Sequence, residues 1–234
     1  MTNNHITIIQ QELPVMESFY TLQGEGYHQG KAAYFIRLAG CDVGCVWCDV
    51  KDSWDAKKHP KFSVNEIVKK AVEDATGYRL QVTGTHNLKP KTRNQKPGTG
   101  NKPIVVITGG EPLMHDLTQL TNALHAAGFQ TNIETSGSSP LTGEWDWICL
   151  SPKKFKAPLQ EIVPLAHELK IVVFNHSDFD WAEKYAAMVS PTCKLYLQPE
   201  WDKASEITPS IINYIKANPK WELSLQIHKY IHVP

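Results

Sequence analysis

The run Cys41-Asp42-Val43-Gly44-Cys45-Val46-Trp47-Cys48 puts three thiols within eight residues, so one loop can present three soft ligands together. Thiolates at that spacing suit zinc or an iron–sulfur cluster, and the fourth ligand separates the two. Structural zinc asks for a second Cys or His pair at a set spacing, yet the next cysteine is Cys149, with no pair beside it. On a four-iron cluster three thiolates leave one iron with an open coordination position, as a catalytic cluster requires and an electron-transfer cluster held by four cysteines does not. The spacing favours the open cluster and keeps zinc as its alternative. A disulfide within the trio would strand the third thiol and is disfavoured in a reducing compartment.

Other polar groups stand where their chemistry needs a reason. Gln23 and Glu25 lie between glycines in Leu22-Gln23-Gly24-Glu25-Gly26, which reads either as a solvated turn or as side chains for a flat polar heterocycle. Arg37 interrupts an apolar run four residues before Cys41, and a buried guanidinium there needs a bidentate ligand carboxylate or an internal Glu. Thr108-Gly109-Gly110-Glu111-Pro112 offers exposed backbone and a carboxylate able to pair with an ammonium group, although two glycines after a strand also make a plain turn. Glu134-Thr135-Ser136-Gly137, Ser151-Pro152-Lys153 and Gln198-Pro199 close three further runs. Cys149 and Cys193 sit in apolar contexts, as small core residues do.

Such residues need a scaffold that brings strand ends together. Apolar, β-branched or aromatic runs bounded by turn residues predict six strands, at 33–38, 104–108, 130–134, 147–150, 170–174 and 194–198; a seventh run, 223–227, leads to the C-terminus. Ser63 and Glu66 have the pattern of a capping box ahead of Val64, Ile67, Val68, Ala71, Val72 and Ala75 at helical spacing. Leu113, Leu117, Leu120 and Leu124 predict a second helix, ended by Gly128. The alternation predicts an α/β fold with a largely parallel sheet, whose carboxyl-end rim collects ligands. Residues 78–103 break the pattern, carry no acid between Arg79 and Lys102, and read as a flexible basic insertion.

Composition excludes several classes. The 234 residues are 41% hydrophobic, enough for one core without disulfide staples. Lys and Arg number 24 and so do Asp and Glu, which removes the charge footprint of a protein devoted to gripping nucleic acid or an anionic membrane. MTNNHITIIQQELP shows no basic-then-apolar leader pattern, and no apolar run approaches bilayer length, so a cytoplasmic protein with reduced thiols is expected.

The motifs together resemble a known family. CDVGCVWC is similar to the three-cysteine motif of radical S-adenosylmethionine enzymes, and TGGEP to their glycine-rich motif after the second strand. Leu22-Gln23-Gly24-Glu25-Gly26, Arg37, Ser151-Pro152-Lys153 and the end from His228 to Pro234 narrow the resemblance to the 7-carboxy-7-deazaguanine synthase family, over nearly the whole chain. The resemblance implies an α/β fold, a partial (β/α)6-type barrel with trimmed helices, as a single domain over residues 1–234, and a homodimer. It implies a lyase that contracts 6-carboxy-5,6,7,8-tetrahydropterin to 7-carboxy-7-deazaguanine with loss of ammonia, towards 7-deazapurines such as queuosine. A flavodoxin- or ferredoxin-like reductant would charge a 4Fe-4S cluster on Cys41, Cys45 and Cys48. Cleavage of S-adenosylmethionine would then yield the 5′-deoxyadenosyl radical that takes the hydrogen from C6.

The same resemblance assigns residues. Leu22, Gln23, Gly24, Glu25, Arg37, Thr108, His228 and Pro234 would contact the substrate, Pro234 through its terminal carboxylate. Trp47, Cys48, Asp49, Gly109, Gly110, Glu111, Glu134, Ser136, Ser151, Pro152, Lys153 and Gln198 would contact the cofactor, Glu111 on the methionine amine. Magnesium is a further implied cofactor, but Val50 stands where a threonine is usual and has no oxygen for a hard cation, leaving Asp52 or Ser53 as substitutes. A glycyl-radical-activating enzyme would share the cysteine motif, and a zinc-stabilised RNA-binding module would use the basic insertion. Neither accounts for the GGEP, SPK and terminal residues together.

Overall fold

Short β-branched and aliphatic runs pack well on a pleated surface, and here they build one nine-stranded sheet. The computed structural model of the chain describes residues 11–83 and 102–234. Its strands are β1 (Glu12–Leu22), β2 (Ala32–Leu38), β3 (Lys61–Ser63), β4 (Ile104–Gly109), β5 (Gln130–Thr135), β6 (Trp147–Leu150), β7 (Glu168–Val173), β8 (Lys194–Pro199) and β9 (Glu222–Leu223). They lie in the order β3-β1-β2-β4-β5-β6-β7-β8-β9. Every neighbouring pair from β2 to β9 is parallel, whereas β1 runs antiparallel to both β2 and β3. The helices are α1 (Val64–Thr83), α2 (Thr118–Ala126), α3 (Ser177–Ala186), α4 (Ala204–Ala217) and α5 (Ile227–Ile231). The mixed α/β architecture, with its run of parallel strands, agrees with the expected partial barrel.

The six predicted strands are β2 and β4 to β8; β1 and β3 were not foreseen. Pro14 argues against a strand because it cannot donate to a ladder. It sits where β1 changes partner: Pro14 faces Lys61 of β3, and Val15 faces Leu38 of β2. The seventh run yields only the two-residue β9, and from Ile227 the chain turns into α5.

Helix starts follow local chemistry. Ser63 Oγ accepts from the Glu66 N–H (3.3 Å) while the Glu66 carboxylate accepts from the Ser63 N–H (2.8 Å), the reciprocal pair expected of a capping box. α1 continues through Tyr78 to Thr83, past the expected start of the insertion. Gly77 costs only about 1 kcal/mol in a helix interior, and no proline follows before Pro90. The rest of the insertion, 84–101, lies outside the described residues. α2 begins later than the leucine spacing suggested. Leu113 belongs to a 3₁₀ turn, Pro112–Met114, and Leu117 is the residue before the helix, though both are buried. Gly128 (φ +89°) closes α2, its N–H reaching the His125 carbonyl at 2.9 Å.

The two-residue period of a strand divides the sheet into two faces. Tyr34, Ile36, Leu38, Val105, Ile107, Ile133, Leu169 and Ile171 join the core under the helices. Ala33, Ile104 and Val106 pack with Phe35 on the opposite face, and beyond them the same alternation carries Arg37, Thr108, Glu134, Lys170, Val172 and Gln198 to an interior cavity. No helix among the described residues is long and apolar enough to cross a membrane.

Candidate active site

The inner face of the sheet and the adjoining loops enclose a cavity of about 260 Å³. The cysteine loop leaves the end of β2 and lies on the glycines that end β4. A Cβ at Gly110 would come within 2.3 Å of the Gly40 carbonyl oxygen and 2.8 Å of Cys41 Cβ, so only glycine permits this approach. The Gly110 N–H donates to Leu38 O (3.0 Å) and the Glu111 N–H to Gly40 O (2.8 Å). Glu111, 1% exposed, accepts from the Leu113 N–H (3.1 Å), the Thr135 hydroxyl (2.5 Å), the Ser136 N–H (2.8 Å) and the Ser136 hydroxyl (2.5 Å). A carboxylate has about four lone-pair sites. These bonds describe a brace between the ends of β4 and β5, where an ammonium partner was expected.

Cys41, Cys45 and Cys48 are free thiols that all line the cavity. Burial raises the pKa of Cys41 and Cys45, and the Lys153 ammonium draws that of Cys45 back down. Lys153 itself is lowered by burial; it donates to Ser151 Oγ (2.5 Å) and stands 5.4 Å from the centre of the Trp47 ring. Ser151, Lys153, Trp47, Asp49 and Ser136 share this part of the wall. Pro152 does not line the cavity; its carbonyl accepts from the Trp181 indole (3.3 Å). Gln198 lines it, its Oε1 accepting from the Ser224 hydroxyl (2.8 Å).

Elsewhere on the wall lies a polar network. Gln23 is buried and donates through Nε2 to Glu134 Oε1 (2.8 Å). The Lys170 ammonium pairs with Glu25 Oε2 and with Glu134 Oε2 (3.3 Å), and Gln226 donates to Glu25 Oε1 (2.9 Å). Burial alone would raise Glu25, but Lys170 outweighs it and holds the carboxyl at about 2. Burial likewise opposes the charge of Lys170, yet Glu134 and Glu25 hold its pKa well above the ordinary lysine value. His228 of α5 is lowered by burial, against the pull of Glu25. Its ring occupies the space beside Gly24, where a Cβ would come within 2.1 Å of Nδ1. Leu22, Thr108 and Pro234 also line the cavity. Arg37 lines the cavity while its Nε donates to Glu17 Oε1 at 2.6 Å, so one edge of the guanidinium has the internal partner.

Known proteins resemble the chain along almost its whole length. No family model matches it. 7-Carboxy-7-deazaguanine synthase of Flavobacterium psychrophilum is 51% identical over 222 residues, covering 95% of this chain and 93% of the relative. The protein of that name from a Synechocystis species is 45% identical over 220 residues (94% and 93%), and that of Escherichia coli K12 35% identical over 233 (95% and 99%). The chain belongs to the 7-carboxy-7-deazaguanine synthase family. The crystal structure of QueE from Escherichia coli superposes with a TM-score of 0.69 at 30% identity, over 92% of this chain and 93% of that one.

Members of the 7-carboxy-7-deazaguanine synthase family are radical S-adenosylmethionine enzymes, and this chain's thiols suit a 4Fe-4S cluster. They share one cavity wall, none is in a disulfide, and the other cysteines are buried elsewhere, Cys149 in β6 and Cys193 just before β8. Among the described residues no group of three His, Cys, Asp or Glu is gathered tightly enough to hold a single ion. Val50 lines the cavity and offers a magnesium ion no side-chain oxygen. Asp49 faces the cavity but its Oδ2 is 2.8 Å from Lys229 Nζ. Ser53, offered as a substitute oxygen donor, is buried and donates to the Val50 carbonyl (2.6 Å), and Asp52 is exposed; neither lines the cavity. Lys170 and Gln226 were missed in the sequence. Lys170 carried a legible signal, a charge inside the aliphatic run Leu169–Val173, of the kind that marked Arg37.

Proposed function

We propose that this chain contracts 6-carboxy-5,6,7,8-tetrahydropterin to 7-carboxy-7-deazaguanine with release of ammonia, in the synthesis of 7-deazapurines such as queuosine. The observation that carries the reading is a single cavity lined both by three free thiols and by the Gln23–Glu134–Lys170–Glu25–Gln226 network. A 4Fe-4S cluster on Cys41, Cys45 and Cys48, with S-adenosylmethionine, supplies when bound the radical chemistry that opens the C6–H bond of the substrate. The residues of the chain hold and orient. Glu25 and Glu134 accept from the N–H groups of the pterin, Glu134 being moved there from the cofactor contacts because Gln23 and Lys170 tie it to Glu25, and Gln23, His228 and Pro234 complete that edge. Arg37 receives the substrate carboxylate on the edge that Glu17 leaves free. Trp47, Ser136, Ser151, Lys153 and Gln198 form the cofactor side, with the Gly109–Gly110 backbone, while Glu111 braces that rim. Closure around the reacting carbon excludes water that would quench a radical.

The reading extends to a cytoplasmic homodimer served by a flavodoxin- or ferredoxin-like reductant, with the whole chain acting as one domain. The decisive experiment is anaerobic turnover of iron-loaded protein with S-adenosylmethionine and the pterin, followed by mass spectrometry. 7-Carboxy-7-deazaguanine and 5′-deoxyadenosine are expected, and both vanish when Cys41, Cys45 or Cys48 becomes Ala. Cleavage of S-adenosylmethionine without ring contraction, or stoichiometric zinc in place of iron, would overturn it.

A further inference from the structure

Lys170 is a buried lysine, 4% exposed, that lines the cavity and has no contact with substrate or cofactor in the reading above. It comes from β7, while Glu25 follows β1 and Glu134 ends β5, so three separated parts of the chain meet at one ammonium. We propose that Lys170 is a positioning residue that holds Glu25 and Glu134 as a fixed pair of acceptors for the N–H edge of the bound pterin, an assignment that rests on the substrate lying at that edge of the cavity.

The geometry leaves little freedom. Lys170 takes one oxygen of each carboxylate; Gln226 takes the other oxygen of Glu25 and Gln23 the other oxygen of Glu134. All four oxygens are thereby oriented, and each keeps a second lone pair for a ligand. Two carboxylates in one small cavity repel, and without a cation between them one takes up a proton, turning an acceptor into a donor that faces the ligand's own N–H. The other groups around Lys170 do not replace it. Glu168 on the same strand and Cys149 on β6 add negative charge or none, Lys153 pairs with Ser151 beside Cys45, and burial lowers the pKa of His228, so that it charges less readily than an ordinary imidazole. Lys170 is also held charged too firmly to act as a proton donor, so its work is orientation.

Calorimetric titration of the iron-loaded protein with 6-carboxy-5,6,7,8-tetrahydropterin, in the presence of S-adenosylmethionine and from pH 5.5 to 8.5, tests this. Wild-type affinity is expected to be flat over that range. Lys170→Met is expected to bind the pterin at least about tenfold more weakly at pH 7, as loss of charge-assisted hydrogen bonds implies. Its affinity falls further as the pH is lowered, because the largest opposition to the burial of Glu25 is gone and its carboxyl takes up a proton more readily. Lys170→Arg recovers part of the loss, and the affinity for S-adenosylmethionine stays the same throughout. If the Met variant fails to fold, Lys170→Met with Glu25→Gln removes both charges; it is expected to fold and still bind poorly. Wild-type, pH-independent affinity in either folded variant would overturn the proposal. Arg37→Ala measured alongside separates the two readings: loss there with none at Lys170 sinks only the positioning role, whereas no loss at either site sinks the substrate assignment as well.

Discussion

At the scale of single residues, close approach and charge pairing decide identity. Gly24 is glycine because His228 fills the volume of its missing Cβ, and the Ile227 N–H bonds the Gly24 carbonyl at 3.0 Å, which seats the C-terminal helix on the Leu22–Gly26 turn. Arg37 is the residue whose reading the structure refined most. Its Nε belongs to Glu17, a partner 44% exposed, so that pair is screened and contributes at most about 1 kcal/mol. Arg37→Ala is therefore expected to change the melting temperature little while weakening pterin binding about tenfold or more. Arg37→Lys restores little, because a point charge cannot copy the bidentate fork. Titration with the pterin checks this; unchanged affinity in the Ala variant would show that Glu17 is the whole reason for the arginine.

At the scale of elements, the short C-terminal helix α5 does more than end the chain. It carries His228 into the cavity, pairs Lys229 with Asp49 of the cysteine loop, and is closed by His232 in a left-handed conformation (φ 56°) that sends Val233 and Pro234 back towards the cavity. Chain ends are tolerant of change only where nothing ties them down. A C-terminal affinity tag, or deletion of Pro234, is expected to reduce turnover severely, whereas an N-terminal tag is not. Steady-state assays of the two tagged proteins, each with a full iron complement, decide it; equal activity would return the tail to an ordinary surface role.

For the whole molecule, buried titratable groups set the acid limit of stability. Burial, aided by Lys31, lowers His28 to about 4 from an ordinary 6.5, and its Nε2 is buried without a hydrogen-bond partner among the described residues. Glu25 is held at about 2 against an ordinary 4.5. Both folded values lie below the unfolded ones, so in each window the unfolded chain binds more protons and stability falls as the pH falls. The His28 contribution is complete above 6.5 and lost towards 4; that of Glu25 is complete above 4.5 and lost towards 2. His28→Phe keeps a ring against Trp147, from which the imidazole centre lies 4.7 Å, and removes the first titration. Its melting temperature is expected to decline less than that of wild type, by a few degrees, between pH 6.5 and 4. Thermal unfolding across that range is the measurement, and parallel curves would assign the acid limb to other groups.

The sequence by itself determined the six parallel strands, the capping box and the cysteine loop, because periodicity, caps and metal-ligand spacing are local properties written in neighbouring residues; many residues of the cavity wall were named only through the family resemblance, and Trp54, Lys170, Glu200, Trp201 and Gln226 line it unannounced. Pro152 was drawn in with its motif but its carbonyl turns to Trp181. What the tertiary structure decided is the pairing of charges far apart in the chain. Glu17 reaches Arg37 only because β1 folds back antiparallel on β2, where the register sets the two opposite each other. Lys170 meets Glu25 across 145 positions of sequence, and Glu111 meets Thr135 and Ser136 across a cavity rim. A charge in an apolar strand announces that a partner exists; which partner depends on strand order and register, and no local pattern encodes either.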